Sequence, residues 1–425
     1  MWRRSAADTG DCSGRISGIQ PRMTAAPQPH VSGLKRFGAL TFTYFAAIGL
    51  FNPYAPLWFQ SLGFSTLVIG AIASLQSWTR IVAPYAWSWG GDHSGRRVEL
   101  IRLASMGALL SALGLLAVPY LEMPGASELM ISVAFMTALL FIANSGVVPL
   151  YEALLANLLH TPDGSIDARR YGRVRVWGSV GFILAVTAFG FLLERFGIGI
   201  FPAFVAAMNA LMLLAALRLP ATREDAVHQE AAPPVLPLLR RPEVAWFFAS
   251  IFFTVLAHTS LYAFFSLYLV SLGYGKGAVG ALWAVSVAVE IAFFWTQGRW
   301  FGRLSPHGWL KVVAGVTVLR FAATAAGGAW APVLVLAQLT HAVTFAAHHA
   351  ACIALVHRLF PGRLRGRGQA LYTMLGYGVS GVLGGVGGGW IISQLGFAAV
   401  FWAATLSALA GLGCAVLSAR ASGLR

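Results

Sequence analysis

Long apolar runs separated by short polar stretches make up most of the chain. Each run is close to the roughly 20 residues that a helix needs to cross a bilayer. Twelve runs are predicted to be membrane-spanning helices, near 37–60, 67–89, 99–119, 128–158, 175–194, 198–218, 244–271, 278–298, 309–327, 331–356, 369–393 and 397–418. The pattern therefore predicts an all-α integral membrane protein.

The longest polar gap, PATREDAVHQEAAPPVLPLLRRPE (220–243), follows the sixth run. It divides the runs into six and six, a layout typical of secondary transporters built from two repeats. We expect an N-terminal half at 35–219, a cytoplasmic connector at 220–243 and a C-terminal half at 244–420. The polar residues 1–34 are expected to form a disordered extension.

Composition supports lipid as the main surroundings of the chain. Of its 425 residues 57% are hydrophobic and 11% are charged, whereas soluble proteins have about 25% charged residues. The net charge of +15 does not indicate a nucleic-acid partner, because the basic residues lie in short clusters between apolar runs and not along one polar face.

The basic residues also predict the orientation of the chain. Cytoplasmic segments of membrane proteins carry an excess of Lys and Arg. With the N-terminus in the cytoplasm, all but four of the 30 Lys and Arg residues fall on the cytoplasmic side. The exceptions are Arg195 and Lys276 on the opposite side and Arg80 and Arg320 inside spans. Both termini are therefore predicted to be cytoplasmic.

The stretch DHSGRRVEL after the second run contains a candidate gating loop, formed by Asp92, Gly95, Arg96 and Arg97. Gly95 permits a tight turn, and the arginines can pair with Asp92 or with helix carbonyls. The pattern resembles the loop between helices two and three of the major facilitator superfamily, although Ser88 stands where that family has Gly. The alternative is a positive-inside loop without a gating role.

Four ionisable residues lie near the middle of spans in the second half: Glu290, Arg320, His258 and His341. A charge at the bilayer centre costs about 2.5–3.5 kcal/mol on insertion scales. Glu290 and Arg320 are therefore expected to pair. The pair could be structural, or Glu290 could exchange a proton with Arg320 as its counter-charge. His258 and His341 are candidates to extend such a proton network; the alternative is that each is an ordinary core histidine with satisfied hydrogen bonds.

The segment LTHAVTFAAHH places His341, His348 and His349 in one apolar run. Seven residues separate His341 from His348, so an α-helix presents them on one face about 10 Å apart. That is too far for one metal ion, and no metal site is expected. His348 is predicted to face the substrate cavity, and His349 is predicted to be structural.

Arg80 in the second run, LQSWTRIVAPYAWSW, has no acid near it in its own helix. It is a candidate to bind a substrate carboxylate, with Trp78 and Trp87 stacking against an organic body. The alternatives are a structural pair with Glu152 or an extension of the side chain towards Asp92.

Two other stretches predict helix geometry. NPYAPLWF contains Pro53 and Pro56, which are expected to break the first helix, and broken helices line transporter sites. Asn52, Tyr54 and Trp58 are therefore candidate cavity residues. The glycines of GYGVSGVLGGVGGGW (376–390) are expected to let helix backbones approach closely.

Several segments resemble the 3-phenylpropionic acid transporter family of the major facilitator superfamily. They are YGRVRVWGSVGFI (171–183), AHTSLYAFFSLYL (257–269), GALWAVSVAVEIAFF (280–294) and QLTHAVTFAAHHAA (338–351). The resemblance covers the chain from about residue 35 onwards. That family is similar to lactose permease and to nucleoside–proton symporters, which implies proton symport of a small organic substrate by alternating access.

The likeness to lactose permease also implies residue roles. Glu152 and Arg175 match by position an acid and an arginine that hold substrate in that permease. Likewise, Glu290, Arg320 and His341 match its acid in helix eight, arginine in helix nine and histidine in helix ten. Where the permease has a further titrating acid one turn after the histidine, this chain has Thr344, which shifts weight onto Glu290 and the histidines.

These observations together predict a proton symporter that imports an aromatic carboxylate such as 3-phenylpropionate. A sugar or nucleoside symporter and a drug exporter of similar build are the alternatives. No intramembrane nucleophile–base or metal constellation indicates an enzyme. We expect a monomer in the inner membrane of a bacterium, driven by the proton gradient and without a cofactor.

Overall fold

The computed structural model describes residues 31–121, 125–161, 167–220 and 235–423. These residues form helices and connecting turns, with no strand among them. The long helices are α1 (Val31–Ser61), α2 (Thr66–Ser94), α3 (Arg97–Ala117), α4 (Ala126–Leu158), α5 (Ala168–Phe196), α6 (Phe201–Leu217), α7 (Pro242–Ser271), α8 (Lys276–Thr296), α9 (Pro306–Gly327), α10 (Ala331–Leu359), α11 (Arg365–Leu395) and α12 (Phe397–Ala421). A four-residue helix, Leu236–Leu239, precedes α7.

Eleven of the long helices in the described ranges have the length and apolar composition needed to cross a membrane. They are α2 to α12, so the prediction of an all-helical membrane protein is confirmed at this level. The first helix, α1, is not among the eleven; it contains Asn52, Pro53 and Pro56, which lower its mean hydropathy.

Two predicted segments lie largely outside the described residues. The expected N-terminal extension is described from Val31, where α1 begins. Of the expected connector, residues 221–234 lie outside the described ranges.

Helix ends follow from local side-chain and backbone chemistry. Ser65 caps α2, because its hydroxyl accepts the backbone N–H of Val68 at 3.3 Å, and Ser305 caps α9 in the same way. The second helix ends at Gly95, whose φ of +63° lies in the left-handed region that glycine adopts without strain. The tight turn predicted at Gly95 is confirmed.

The two halves, α1–α6 and α7–α12, meet mainly where α2 packs on α11 and α5 packs on α8. Glycines bring α2 and α11 into backbone contact: a Cβ on Gly385 would lie 2.6 Å from the carbonyl oxygen of Gly70. The neighbouring Ser74 hydroxyl donates to the Val382 carbonyl at 3.1 Å. The predicted close approach of the glycine-rich segment is therefore confirmed.

Hydrogen bonds join the halves at one end of the bundle. The backbone N–H of Gly277, at the start of α8, donates to the Glu194 carboxylate near the end of α5 at 2.7 Å. Thr66, at the start of α2, donates to the Gly389 carbonyl in α11 at 3.1 Å. At the opposite end, the ion pairs Arg97–Asp92 and Arg358–Glu243 each lie within one half.

Replacement of Gly385 by Val is expected to destabilise the protein, because the added methyl groups collide with the backbone of Gly70. Overpacking of this kind costs about 1–3 kcal/mol. Gly387→Val is the matched control, since a Cβ on Gly387 has no neighbour within 4 Å. Thermal unfolding in detergent should show a lower melting temperature for Gly385→Val than for Gly387→Val. Equal melting temperatures would contradict the close packing of α2 and α11.

Candidate functional site

A cavity with two adjoining lobes lies between the halves. The first lobe, here the shared lobe, has a volume of about 480 Å³ and is lined by residues of α1, α2, α4, α7, α10 and α11. The second, the N-half lobe, has about 500 Å³ and is lined by α1, α2, α4, α6 and α11. Both sizes suit a small organic ligand. The residues that line both lobes are Phe51, Asn52, Gln76, Arg80, Phe141, Thr373 and Tyr377.

Arg80 is the cavity residue whose charge is uncompensated. Its guanidinium makes no hydrogen bond or ion pair with any residue in the described ranges. The partners that the sequence offered are engaged elsewhere: Asp92 pairs with Arg97 at 2.6 Å, and Glu152 lies 3.8 Å from Arg175. No Asp or Glu lines either lobe among the described residues. The cavity therefore favours an anionic group beside Arg80.

The predicted aromatic neighbours of Arg80 do not line the cavity. The Trp78 side chain is 59% exposed outside the lobes, and the Trp87 indole donates to the Ile142 carbonyl at 2.9 Å. Other aromatic side chains form the walls instead. They are Tyr44, Phe45, Phe51, Phe59, Phe141, Tyr262, Phe345, Tyr372 and Tyr377.

The predicted cavity residues of α1 divide into two groups. Asn52 lines both lobes, and the Gln76 amide donates to its side-chain oxygen at 3.5 Å. For Trp58 the prediction was wrong: it is 2% exposed and packs against Phe201 with ring centroids 5.7 Å apart. Tyr54 is also buried, and its hydroxyl donates to a backbone carbonyl of α5.

The reason for this correction is the continuity of α1. The helix runs through Pro53 and Pro56 without a break, as membrane helices can when neighbours satisfy the freed backbone groups. In an unbroken helix, Trp58 points away from the face that carries Asn52, since six residues rotate a side chain by about 240°.

Arg320 is buried at 2% exposure and donates three hydrogen bonds to neutral acceptors. Its guanidinium bonds Gln338 Oε1 at 2.9 Å, Thr344 Oγ1 at 2.7 Å and His341 Nδ1 at 3.0 Å. The Ser286 hydroxyl donates to the same Gln338 oxygen at 2.5 Å. Ser286 and Gln338 were not predicted from the sequence, because an uncharged side chain in an apolar run gives no signal of its own.

Glu290 is linked to Arg320 through His341 and not by the direct pair that we expected. The Glu290 carboxylate lies 3.9 Å from His341 Nε2. Because a guanidinium only donates, His341 Nδ1 must accept, and the neutral ring then carries its proton on Nε2. That proton faces Glu290, so the three side chains form a directed series from Arg320 through His341 to Glu290.

His258 lies apart from this series. Its Nδ1 donates to the Thr254 carbonyl at 2.8 Å, and Phe321 packs edge-on against its ring at 5.2 Å. Its Nε2 has no hydrogen-bond partner among the described residues. No direct hydrogen bond therefore connects His258 to the series, and its place in a proton network remains a prediction.

The assignments of His348 and His349 are reversed in the structure. His348 is buried with its Nε2 3.4 Å from the Cys352 thiol and lines neither lobe. His349 lines the shared lobe and lies 3.2 Å from the Tyr372 hydroxyl. The cause is a π-helical turn, Ala342–Ala347, whose wider winding shifts the helical register by about one residue.

Phe345, within the same turn, joins the cavity to the buried series. Its ring stacks on His341 with centroids 5.1 Å apart, and it also lines the shared lobe. Glu290 lines neither lobe. A group in the shared lobe that displaces Phe345 would therefore also disturb the His341 ring, which faces Glu290.

Glu152 and Arg175, both expected to hold substrate, lie together in the structure. Besides the 3.8 Å pair, the Tyr171 hydroxyl donates to the Glu152 carboxylate at 2.8 Å. Arg175 stacks over Phe45, 4.5 Å from the ring centroid, and Phe45 lines the N-half lobe. Neither charged residue lines a lobe, so their contact with substrate stays a prediction.

The candidate gating loop forms in part as predicted. Buried Arg97 pairs with Asp92, whereas Arg96 lies 3.6 Å from Glu99 on the surface. Farther along α3, Arg102 donates to the Leu219 carbonyl after α6 at 2.8 Å. These contacts tie α2, α3 and α6 together; a gating role remains a prediction.

Comparison with known proteins gives relatives along most of the chain. The sequence model of the MFS_1 like family matches residues 34–403. The chain is 28% identical over 370 residues to the "Probable 3-phenylpropionic acid transporter" of Escherichia coli (strain K12), covering 87% of this chain and 93% of that protein. It is also 28% identical over 391 residues to the maltose permease of Geobacillus stearothermophilus, covering 88% and 92%.

Solved transporter structures share the fold. A crystal structure of the nucleoside transporter NupG (D323A mutant) superimposes with a TM-score of 0.74 at 16% identity, covering 92% of this chain and 99% of that chain. A POT family transporter in complex with 5-aminolevulinic acid gives a TM-score of 0.71 at 12% identity, covering 93% and 98%. At these identities the likeness concerns the fold alone.

Proposed function

Because the chain belongs to the MFS_1 like family of the major facilitator superfamily, we propose that it is a proton-coupled symporter. It imports a small aromatic carboxylate, such as 3-phenylpropionate, by alternating access. The observation that carries this proposal is the unpaired guanidinium of Arg80 in a cavity whose described lining contains no carboxylate.

The substrate supplies the partner that Arg80 lacks. A guanidinium binds a carboxylate through two parallel N–H···O bonds, which fixes the orientation of the anion as well as its position. The aromatic walls, including Tyr44, Phe141 and Tyr377, provide apolar area and ring edges for an aromatic body. The 28% identity to a protein named for 3-phenylpropionic acid agrees with this class of substrate.

Glu290 carries the coupled proton in this proposal. His341 is a poor carrier, since a second ring proton on Nδ1 would face the Arg320 guanidinium 3.0 Å away. Glu290, by contrast, faces a neutral donor and no direct cation. Protonated Glu290 favours loading from outside, and its deprotonation follows substrate release. Because Arg80 also lines the shared lobe, a substrate held by Arg80 influences this step through Phe345, which lines that lobe and stacks on His341.

Alternating access is supported by the bonds that join the halves at one end, from Gly277 to Glu194 and from Thr66 to Gly389. If α1 also crosses the membrane, the chain has twelve spans. With both termini in the cytoplasm, the end at which these bonds join the halves then faces outside. The conformation is then one from which substrate leaves inward. The proposal places a monomer in the lipid of a bacterial inner membrane, with no cofactor and no enzymatic activity.

A sugar symporter is the alternative that the comparisons favour most, because the maltose permease is also 28% identical to the chain. The amides of Asn52 and Gln76 could bind sugar hydroxyls. Nucleoside symport and drug export are supported by nothing beyond the shared transporter fold. The charge of the transported substrate separates these alternatives, because a neutral sugar leaves Arg80 without a counter-charge.

Arg80→Ala is expected to reduce uptake of 3-phenylpropionate by about tenfold or more, because a hydrogen bond to a charged group contributes about 1.5–3 kcal/mol. Arg80→Lys, which keeps the charge but not the two-bond geometry, should retain part of the uptake. The measurement is initial uptake of labelled acid into proteoliposomes, beside a neutral solute such as maltose. An equal loss for charged and neutral solutes would count against a carboxylate-binding Arg80.

Glu290→Gln is expected to abolish accumulation against a gradient while sparing exchange of preloaded substrate, because glutamine mimics the protonated acid permanently. Counterflow and proton-driven uptake are measured in the same vesicles. Glu128→Gln is the control, since Glu128 is exposed at the start of α4. Unchanged uphill transport in Glu290→Gln would rule out the coupling role.

A further inference from the structure

The N-half lobe contains polar side chains that no contact within the protein satisfies. Asn209 of α6 lines this lobe and is 2% exposed. Its amide nitrogen donates to the Val205 carbonyl at 2.8 Å. Because a backbone carbonyl only accepts, this bond fixes the orientation of the amide. The side-chain oxygen of Asn209 is buried and has no hydrogen-bond partner in the described part of the chain.

A second acceptor lies in the wall of the same lobe. The side-chain oxygen of Asn144, on α4, is also buried and without a partner among the described residues. Buried side-chain oxygens in folded proteins nearly always accept a hydrogen bond. Both acceptors belong to residues that line one ligand-sized cavity. A small rotation of either side chain would bring its oxygen to a donor in the occupied cavity.

The charge of the lobe selects the kind of donor. Arg80 lines the N-half lobe as well as the shared lobe, and no carboxylate lines the described part of either. An ammonium group there would be repelled by Arg80 and would have no counter-charge, and an unpaired buried cation is costly. A neutral hydroxyl can donate to an amide oxygen without that cost.

We propose that the substrate is an aryl carboxylate with a hydroxyl on its ring, and that this hydroxyl donates to Asn209 in the N-half lobe. The inference rests on the proposed function, in which Arg80 holds the carboxylate. Asn209 then determines specificity, with Asn144 as a second acceptor. A site built to bond a hydroxyl discriminates against an analogue without it, because binding the analogue leaves the acceptor unpaired and excludes water from it.

The test compares three acids: 3-phenylpropionate and its 3-hydroxyphenyl and 4-hydroxyphenyl derivatives. Their affinities for the purified full-length protein in lipid nanodiscs are measured by calorimetry. At least one hydroxylated acid is expected to bind about tenfold or more tightly than the unsubstituted acid, as expected for a bond to an otherwise unpaired acceptor. In Asn209→Leu this affinity ratio is expected to fall below about twofold.

Thr137→Val is the matched control. The Thr137 hydroxyl is likewise fully buried and without a partner among the described residues, but Thr137 lines neither lobe. Its substitution should leave the affinity ratio at the wild-type value. A matching fall of the ratio in Thr137→Val would overturn the assignment to Asn209.

The remaining outcomes also decide the matter. Equal binding of all three acids to the wild-type protein overturns the inference while leaving the proposed function intact, and this comparison needs no variant to fold. A hydroxyl preference that survives both Asn209→Leu and Asn144→Leu overturns it as well, and water is then the donor to these oxygens. Absence of binding by every acid would instead overturn the proposed function, and the inference with it.

Discussion

A charged side chain inside a largely apolar helical bundle must find a partner, since leaving it unpaired costs several kcal/mol. The two arginines within the predicted spans meet this constraint in opposite ways. Arg320 is buried and donates to Gln338, Thr344 and His341. Arg80 is exposed in the cavity, where water can surround it, and makes no such bond to any described residue. The first arginine stabilises the structure around it, and the second leaves an interaction for a ligand to complete.

The partners of Arg320 also determine the surroundings of Glu290. All three acceptors are neutral, and one of them is Thr344, at the position where the resemblance to lactose permease implies an acid. Arg320 is thereby satisfied without using Glu290, and it orients the His341 ring so that Nε2 faces the Glu290 carboxylate. In the proposed mechanism, this separation lets Glu290 gain and lose a proton while the buried arginine keeps its bonds.

Long apolar runs predicted the helices well, because length and hydropathy alone decide whether a segment can span lipid. Charge in apolar runs was a partial guide: Glu290, His341 and Arg320 lie together, but without the expected direct Glu290–Arg320 pair, and His258 lies apart. Orientation of single side chains was predicted less well. Because α1 continues through Pro53 and Pro56, Trp58 lies in the core and not in the cavity. Because of a π-helical turn, His349 lines the cavity in place of His348. Neutral partners such as Gln338 and Asn209 were missed, because their role depends on contacts between distant helices.

The claim that the cavity is built for an anion can be tested most directly on the unmodified protein. The measurement is the affinity of purified protein for 3-phenylpropionate and for its uncharged amide, 3-phenylpropanamide, which has nearly the same shape. The acid is expected to bind about tenfold or more tightly, since a hydrogen bond to a charged group contributes about 1.5–3 kcal/mol and the amide cannot neutralise Arg80. Equal affinities, or tighter binding of the amide, would contradict it.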